Sequence, residues 1–327
     1  MTVPLLPPGT SAWILTDGKA GDLAPCRGLA DALALSPEER RVAPRPPFSW
    51  WAPRLWPDPR DPAPLAPPYP DLAIATGRRA VPYLRALKHR SGGRCFTVFL
   101  KDPRIGAAVA DLLWVPSHDR LRGPNVVATL TPPHRITPAR LAAARADPDP
   151  RLAALAPPRI AVLVGGDSRH GPFGPAEQDR LLAGLDRLAE DGRLMITASR
   201  RTPARLRDAL AALAARRGGF AWDGSGANPY LAMLALADAV VVTSDSANMV
   251  GEAVAAGAPV LLFELPGTYI RLRPFFAALR EHGAVHAFPG RLEALPHKPL
   301  DCTLAIAQAV AVAYHRHRDA IARPDRR

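Results

Sequence analysis

Short apolar runs alternate along this chain with longer stretches in which apolar positions recur every three or four residues. Polar, glycine-bearing loops separate the two. The clearest instance is 239–263, AVVVTSDSANMVGEAVAAGAPVLLF. Ala239–Thr243 is a Val-rich run, Ser244–Ser246 supplies turn and N-cap chemistry, and Gly257 with Pro259 stops a helix where the next apolar run begins. The pattern predicts strand, loop, helix and strand, a βαβ unit of the kind that binds ligands. Its helix start would offer backbone N–H groups and the positive end of a dipole to a phosphate. Between Asp245 and Glu264 the one charged residue is Glu252, on an otherwise apolar or small-residue helix, so its carboxylate needs hydrogen-bond donors. Six residues after Ser246, it stands roughly 9 Å along the axis, a span that fits a diphosphate at one end and a ribose at the other. The alternative is a structural carboxylate paired with a buried Arg.

The same alternation predicts strands at 12–16, 71–75, 95–100, 112–115 and 126–129, with helices at 24–35, from after the Thr76-Gly77-Arg78 loop to about Lys88, and at 138–146. After ADPDPRLAALAPPR, which reads as an interdomain linker, come strands at 160–164, 194–197 and 220–222. Helices are expected at 175–190, from Pro203, at 228–237, 274–282 and 300–315. Strand and helix in turn mean parallel sheets with crossover helices. The fold class expected is therefore α/β: two Rossmann-like parallel-sheet domains, 1–150 and 151–327, facing a central cleft, with the last helix able to pack back on the first domain. One stretch breaks the pattern. Residues 44–70 hold eleven prolines with Trp50, Trp51 and Trp56, too many prolines for regular helix or inner strand. Large aromatics find partners, which favours these tryptophans packing the segment down over their forming an exposed patch.

Composition narrows the function. At 327 residues the chain can bury two cores. The formal net charge of +12 comes mostly from Arg, with Lys only at 19, 88, 101 and 298. It favours anionic partners weakly, and no basic block interleaved with aromatics suggests nucleic acid. Cys26, Cys95 and Cys302 are widely separated, with neither zinc nor disulfide spacing. No leader or membrane-length apolar run is seen, so a cytoplasmic protein is expected, with basic surface and exposed apolar groups as the route to a peripheral membrane contact.

Candidate chemistry lies after the predicted strands, where parallel sheets bind ligands. In the second half these loops hold Gly165, Gly166, Asp167, Ser168 and Arg169; Ser199, Arg200 and Arg201; and Ser244, Asp245 and Ser246. Glycine allows close backbone approach, hydroxyls donate to phosphate oxygens, and Arg clamps phosphate. Together they outline a diphosphate site, although each alone is also an ordinary structural device. The first half offers Asp17-Gly18-Lys19-Ala20-Gly21-Asp22, Thr76-Gly77-Arg78-Arg79, Lys101-Asp102-Pro103-Arg104 and Ser117-His118-Asp119. A base would come from Asp17, Asp22, His118, Asp119 or His134, and we single out Asp17, Lys19 and His118 as the catalytic candidates. No GxSxG, HExxH, P-loop or GxGxxG motif is present, which disfavours hydrolase, zincin, NTPase and dinucleotide oxidoreductase classes.

WILTDGKAG, KDPR, PSHDRLRGPNV, TPPHRIT, VLVGGDSRHG, SRRTP and NPYLAMLALADAVVVTSDSANMVGEA, in this order from Trp13 to about Phe263, resemble the ELM1-like family named for a plant mitochondrial fission factor. The resemblance implies a GT-B-like architecture, similar to GT-B glycosyltransferases and UDP-N-acetylglucosamine 2-epimerase. It implies Ser246 on phosphate and Glu252 on ribose, through a D-S-x(5)-E pattern, and Gly18 and Gly21 in an acceptor-side loop. The expected function is a metal-independent glycosyltransferase that uses a nucleoside diphosphate sugar as substrate, with no resident cofactor, and an unidentified acceptor. A nucleotide-sugar epimerase and a non-catalytic membrane- or partner-binding protein are the alternatives.

Overall fold

In the computed structural model, which describes residues 6–167, 171–288 and 297–322, the apolar runs become strands of two parallel sheets. The chain divides into two units, one of residues through Arg135 joined by the segment from Cys302, the other Ile136–Asp301.

The sheet of the first unit contains β1 (Ala12–Thr16), β2 (Glu38–Arg41), β3 (Leu72–Thr76), β4 (Phe96–Leu100), β5 (Leu112–Pro116) and β6 (Val126–Thr129), in the order β2-β1-β3-β4-β5-β6. Strands β1, β3 and β4 are buried at every position, as continuous apolar runs require when helices cover both faces. The sheet order reverses at β1, so the crevice between the carboxyl ends of β1 and β3 is the expected ligand position. Helices α1 (Ala20–Ala32) and α3 (Ala80–Arg90) flank the sheet, with the one-turn α2 (Phe48–Trp51) between them in sequence.

The second unit contains α4 (Pro138–Ala146), α5 (Pro150–Ala153), β7 (Arg159–Val164), α6 (Pro175–Leu188), β8 (Arg193–Ala198), α7 (Ala204–Arg216), β9 (Phe220–Ala221) and α8 (Tyr230–Leu236). It continues with β10 (Ala239–Thr243), α9 (Ala247–Ala255), β11 (Val260–Phe263), α10 (Thr268–Glu281) and β12 (His286–Phe288). Read from β9, the sheet order is β9-β8-β7-β10-β11-β12, the doubly wound arrangement with its switch point between β7 and β10. Val241 pairs with Val162 and Leu261, so the centre of this sheet is a stack of buried branched side chains, each contributing about 1.5–3 kcal/mol. The final helix, α11 (Thr303–Ala322), belongs to the first unit, where Ile306, Val310 and Tyr314 join the core containing Ile14, Leu29, Ile74 and Phe96.

Four differences from the sequence reading have physical causes. The division falls after Arg135 and not near 150, because α4 is tied to α8 by Arg145 Nε donating to the Ala235 carbonyl at 2.7 Å. The 146–159 stretch is likewise a folded part of the second unit: Asp149 caps α5, and Arg159 donates to the Leu155 and Ala153 carbonyls. Strand β2, EERR, was not anticipated, since a charged edge strand carries no apolar signal. The tryptophans of the Pro-rich segment do not pack down: Trp50, Trp51 and Trp56 are 69%, 53% and 62% exposed. Among the described residues, no helix is long and apolar enough to cross a membrane.

Candidate functional site

The site in the second unit is built on the loops that leave β7, β8 and β10, which are neighbours at the switch point. Asp245, with its side chain fully buried, draws all three together. One carboxylate oxygen accepts from the Gly166 N–H (3.1 Å) and from Arg201 Nη2 (2.8 Å); the other accepts from the Thr243 hydroxyl at 2.7 Å. Thr243 Oγ1 in turn accepts from the Gly165 N–H at 2.8 Å. The two glycines are set by these approaches. A Cβ at Gly165 would fall 1.9 Å from Asp245 Oδ1, and one at Gly166 2.1 Å from the Arg201 carbonyl. Arg201 also donates through Nη1 to the Asp167 carbonyl at 2.8 Å, while its own carbonyl accepts from the Asp167 N–H. Ser199 Oγ accepts from the Arg201 N–H and lies 3.2 Å from Thr202 Oγ1. Arg200 is exposed on the same turn.

Ser246 is the N-cap of α9: its hydroxyl accepts from the Met249 N–H at 3.3 Å, so the positive end of the helix dipole lies beside the Asp245 network. Glu252 is on the second turn of α9. Its carboxylate accepts a hydrogen bond from the Tyr230 hydroxyl at 2.7 Å, across from α8. Burial pushes the Glu252 carboxyl up to about 6, against the lowering effect of the Tyr230 hydrogen bond, and burial raises the Tyr230 phenol well above its usual value. A neutral phenol donor is therefore the partner, in place of the buried Arg weighed as the structural alternative.

Of the sequence candidates, Gly165, Gly166, Ser199, Arg201 and Asp245 form one hydrogen-bonded network, and Ser246 adjoins it in sequence. Ser168 and Arg169 lie outside the described residues. Tyr230 stands in a motif whose binding role comes second to its capping role in the sequence. Asn228-Pro229-Tyr230 reads first as a helix start, and Asn228 Oδ1 does accept from the Tyr230 N–H at 3.0 Å; no sequence signal places the phenol against α9.

The first unit carries a second group of polar loops at its own switch point. Asp17, directly after β1, has a side chain only 5% exposed that is ion-paired with the 66% exposed Lys19. Its other carboxylate oxygen is buried with no hydrogen-bond partner among the described residues. Gly18 follows with φ +84°, its N–H donating to Thr16 Oγ1 at 3.1 Å. Asp22 meets Lys101 Nζ at 2.5 Å, linking the first turn of α1 to the loop after β4. His118 follows β5, three strand spacings from β1, or roughly 14 Å, so the sheet does not set it beside Asp17. Burial lowers the His118 imidazole, with Asp119 opposing. His134 is a core residue packed on α1, where a Cβ at Gly28 would come within 2.7 Å of its backbone.

Two doubly wound parallel sheets with polar loops at their switch points define an α/β protein of the GT-B-like class. Solved structures of this fold include UDP-GlcNAc 2-epimerase from Methanocaldococcus jannaschii, with a TM-score of 0.56, 9% identity, and 93% of this chain and 99% of that one covered. The S. aureus MnaA-UDP co-structure superposes with a TM-score of 0.55 at 10% identity, covering 96% of each chain. At these identities the likeness is one of fold alone. The chain belongs to the family described as Mitochondrial fission ELM1, whose profile it matches over residues 20–314. It is 28% identical over 269 residues to the mitochondrial fission protein ELM1 of Arabidopsis thaliana, an overlap that takes in 74% of this chain and 63% of that protein. The chain thus spans less than two thirds of that relative's length.

Proposed function

We infer that the second unit binds a nucleoside diphosphate sugar and that the protein transfers the sugar to an acceptor without a metal ion. The observation that carries this reading is the Asp245 network, which holds three strand-end loops at the start of α9 with Glu252 about 9 Å further along the helix. In this assignment the diphosphate lies at the Ser246 end of α9, against the Gly165-Gly166 backbone and the exposed Arg200, and Glu252 accepts from the ribose hydroxyls. The N–H groups at the start of α9, the helix dipole and arginine would stabilise the departing diphosphate as its charge grows. Arg201 is already engaged with Asp245 and Asp167, so it acts by fixing the loop, with its side chain still partly exposed. Asp17 is assigned as the base that takes a proton from an acceptor hydroxyl, because its buried Oδ1 has no hydrogen-bond partner among the described residues, and Lys19 as an anion anchor. Transfer and epimerisation separate on one assay: incubation with the stabilising nucleotide sugar and candidate acceptors. Transfer consumes acceptor and releases nucleoside diphosphate; epimerisation changes the sugar with no acceptor consumed.

A further inference from the structure

Three of the six tryptophans stand within seven residues of one another, all more than half exposed, with Leu55 between them 41% exposed. Together the rings present roughly 400 Å² of aromatic surface, within the range of the largest functional apolar patches on soluble monomers. This exposure is held in place by specific bonds. Arg78, in the loop before α3, donates to the carbonyls of Ser49, Trp50 and Ala52 at 2.9–3.1 Å, and Arg85 donates to the Arg54 carbonyl at 3.2 Å. Ala52 and Ser49 are buried beneath, so the backbone is anchored while the indoles project. Trp56 makes an edge contact with His89, and the Arg85 guanidinium lies 5.9 Å from its ring centre.

The surroundings are basic. From Arg78 to Arg94 the sequence has five Arg and one Lys and neither Asp nor Glu. Arg54, Arg79, Arg85 and Arg90 are exposed. The nearest carboxylates in the Pro-rich segment are already committed: buried Asp58 to Arg60 and to the Arg45 N–H, and Asp61 to the Tyr83 hydroxyl and the Ala43 N–H. Indole rings favour the boundary between water and hydrocarbon, and arginines beside them favour anionic headgroups. Each signal alone gives marginal attachment; the two together give a stable peripheral contact.

We propose that Trp50, Trp51, Leu55 and Trp56, with Arg54, Arg79, Arg85 and Arg90, form a docking surface for an anionic lipid bilayer. It inserts the indoles at headgroup depth and pairs the guanidiniums with lipid phosphates. The test is flotation of the full chain with vesicles of equal parts phosphatidylglycerol and phosphatidylcholine, or of phosphatidylcholine alone, together with tryptophan emission. The expected result is binding to the anionic vesicles with a blue-shifted emission. The combined Trp50→Ser, Trp51→Ser, Trp56→Ser variant should bind about tenfold more weakly or not at all, and Arg85→Glu with Arg90→Glu should abolish the preference for anionic lipid. Circular dichroism melts confirm that each variant folds. No binding by the native protein, equal binding to neutral vesicles, or undiminished binding by the folded tryptophan variant would each overturn the proposal; the first would leave the patch to a protein partner.

Discussion

The Tyr230 hydroxyl lies 2.7 Å from a Glu252 carboxylate oxygen, joining α8 to α9 through a hydrogen bond between two half-buried groups. Burial raises the carboxyl from its ordinary 4.5 to about 6. The folded chain therefore holds an extra proton between these values, and stability falls as pH rises through them, then levels off. The ionised carboxylate opposes folding at neutral pH by at most ~2 kcal/mol, less for the water that reaches it. Glu252→Gln should thus be more stable than the native protein near neutral pH and equal to it in acid, as urea titrations will show. Ribose hydroxyls donating to the carboxylate would lower its pKa again. Nucleotide binding should then release a proton around the raised pKa, read by calorimetry in buffers of differing ionisation heat.

Removing Asp245 leaves the Gly166 N–H and Arg201 without their buried acceptor. Asp245→Ala should destabilise the second unit by about 3 kcal/mol, moderated by the part of Arg201 that remains in water. Gly165→Ala should act in the same direction, since its Cβ would lie 1.9 Å from the same carboxylate. A urea midpoint within error of the native value for either variant would contradict the network's structural role.

Arg200→Ala separates binding from folding. The residue is exposed and has no partner among the described residues, so stability should change by less than about 0.5 kcal/mol. Nucleotide affinity should fall by about 1.5–3 kcal/mol, the worth of a hydrogen bond to a charged group. Ser246→Ala should show both effects, because the hydroxyl caps α9 and loss of a cap costs about 1 kcal/mol.

Asp17→Asn keeps the side-chain shape and removes the carboxylate. With an identified sugar donor and acceptor, turnover should be lost while nucleotide affinity is unchanged. Near-normal turnover would remove Asp17 from the chemistry and leave it as a turn residue.

The strand-end loops were legible in the sequence because glycine, hydroxyl and arginine clusters follow runs that are apolar throughout. Residues 239–263 read out as strand, loop, helix and strand with the bounds of β10 correct to the residue. Contacts between distant elements were not legible. Nothing near Tyr230 marks Glu252 as its partner, and the Gly165–Asp245 approach depends on β7 lying beside β10. Edge strand β2 was missed because its solvated, charged residues erase the apolar signal that marks inner strands. The tryptophans were misjudged for a different reason: the preference of large aromatics for burial yields where Arg78 fixes the backbone beneath them.

Nucleotide binding at the Ser246–Glu252 face is the claim on which the functional account rests. Titration calorimetry of the native chain with UDP, GDP, CDP and TDP, repeated on Ser246→Ala and Glu252→Ala, measures it most directly. The account predicts that one diphosphate binds with a single site and that each substitution weakens it by about tenfold or more while the melting profile stays cooperative. Absence of heat with all four nucleotides, or equal affinity in both folded variants, would contradict it.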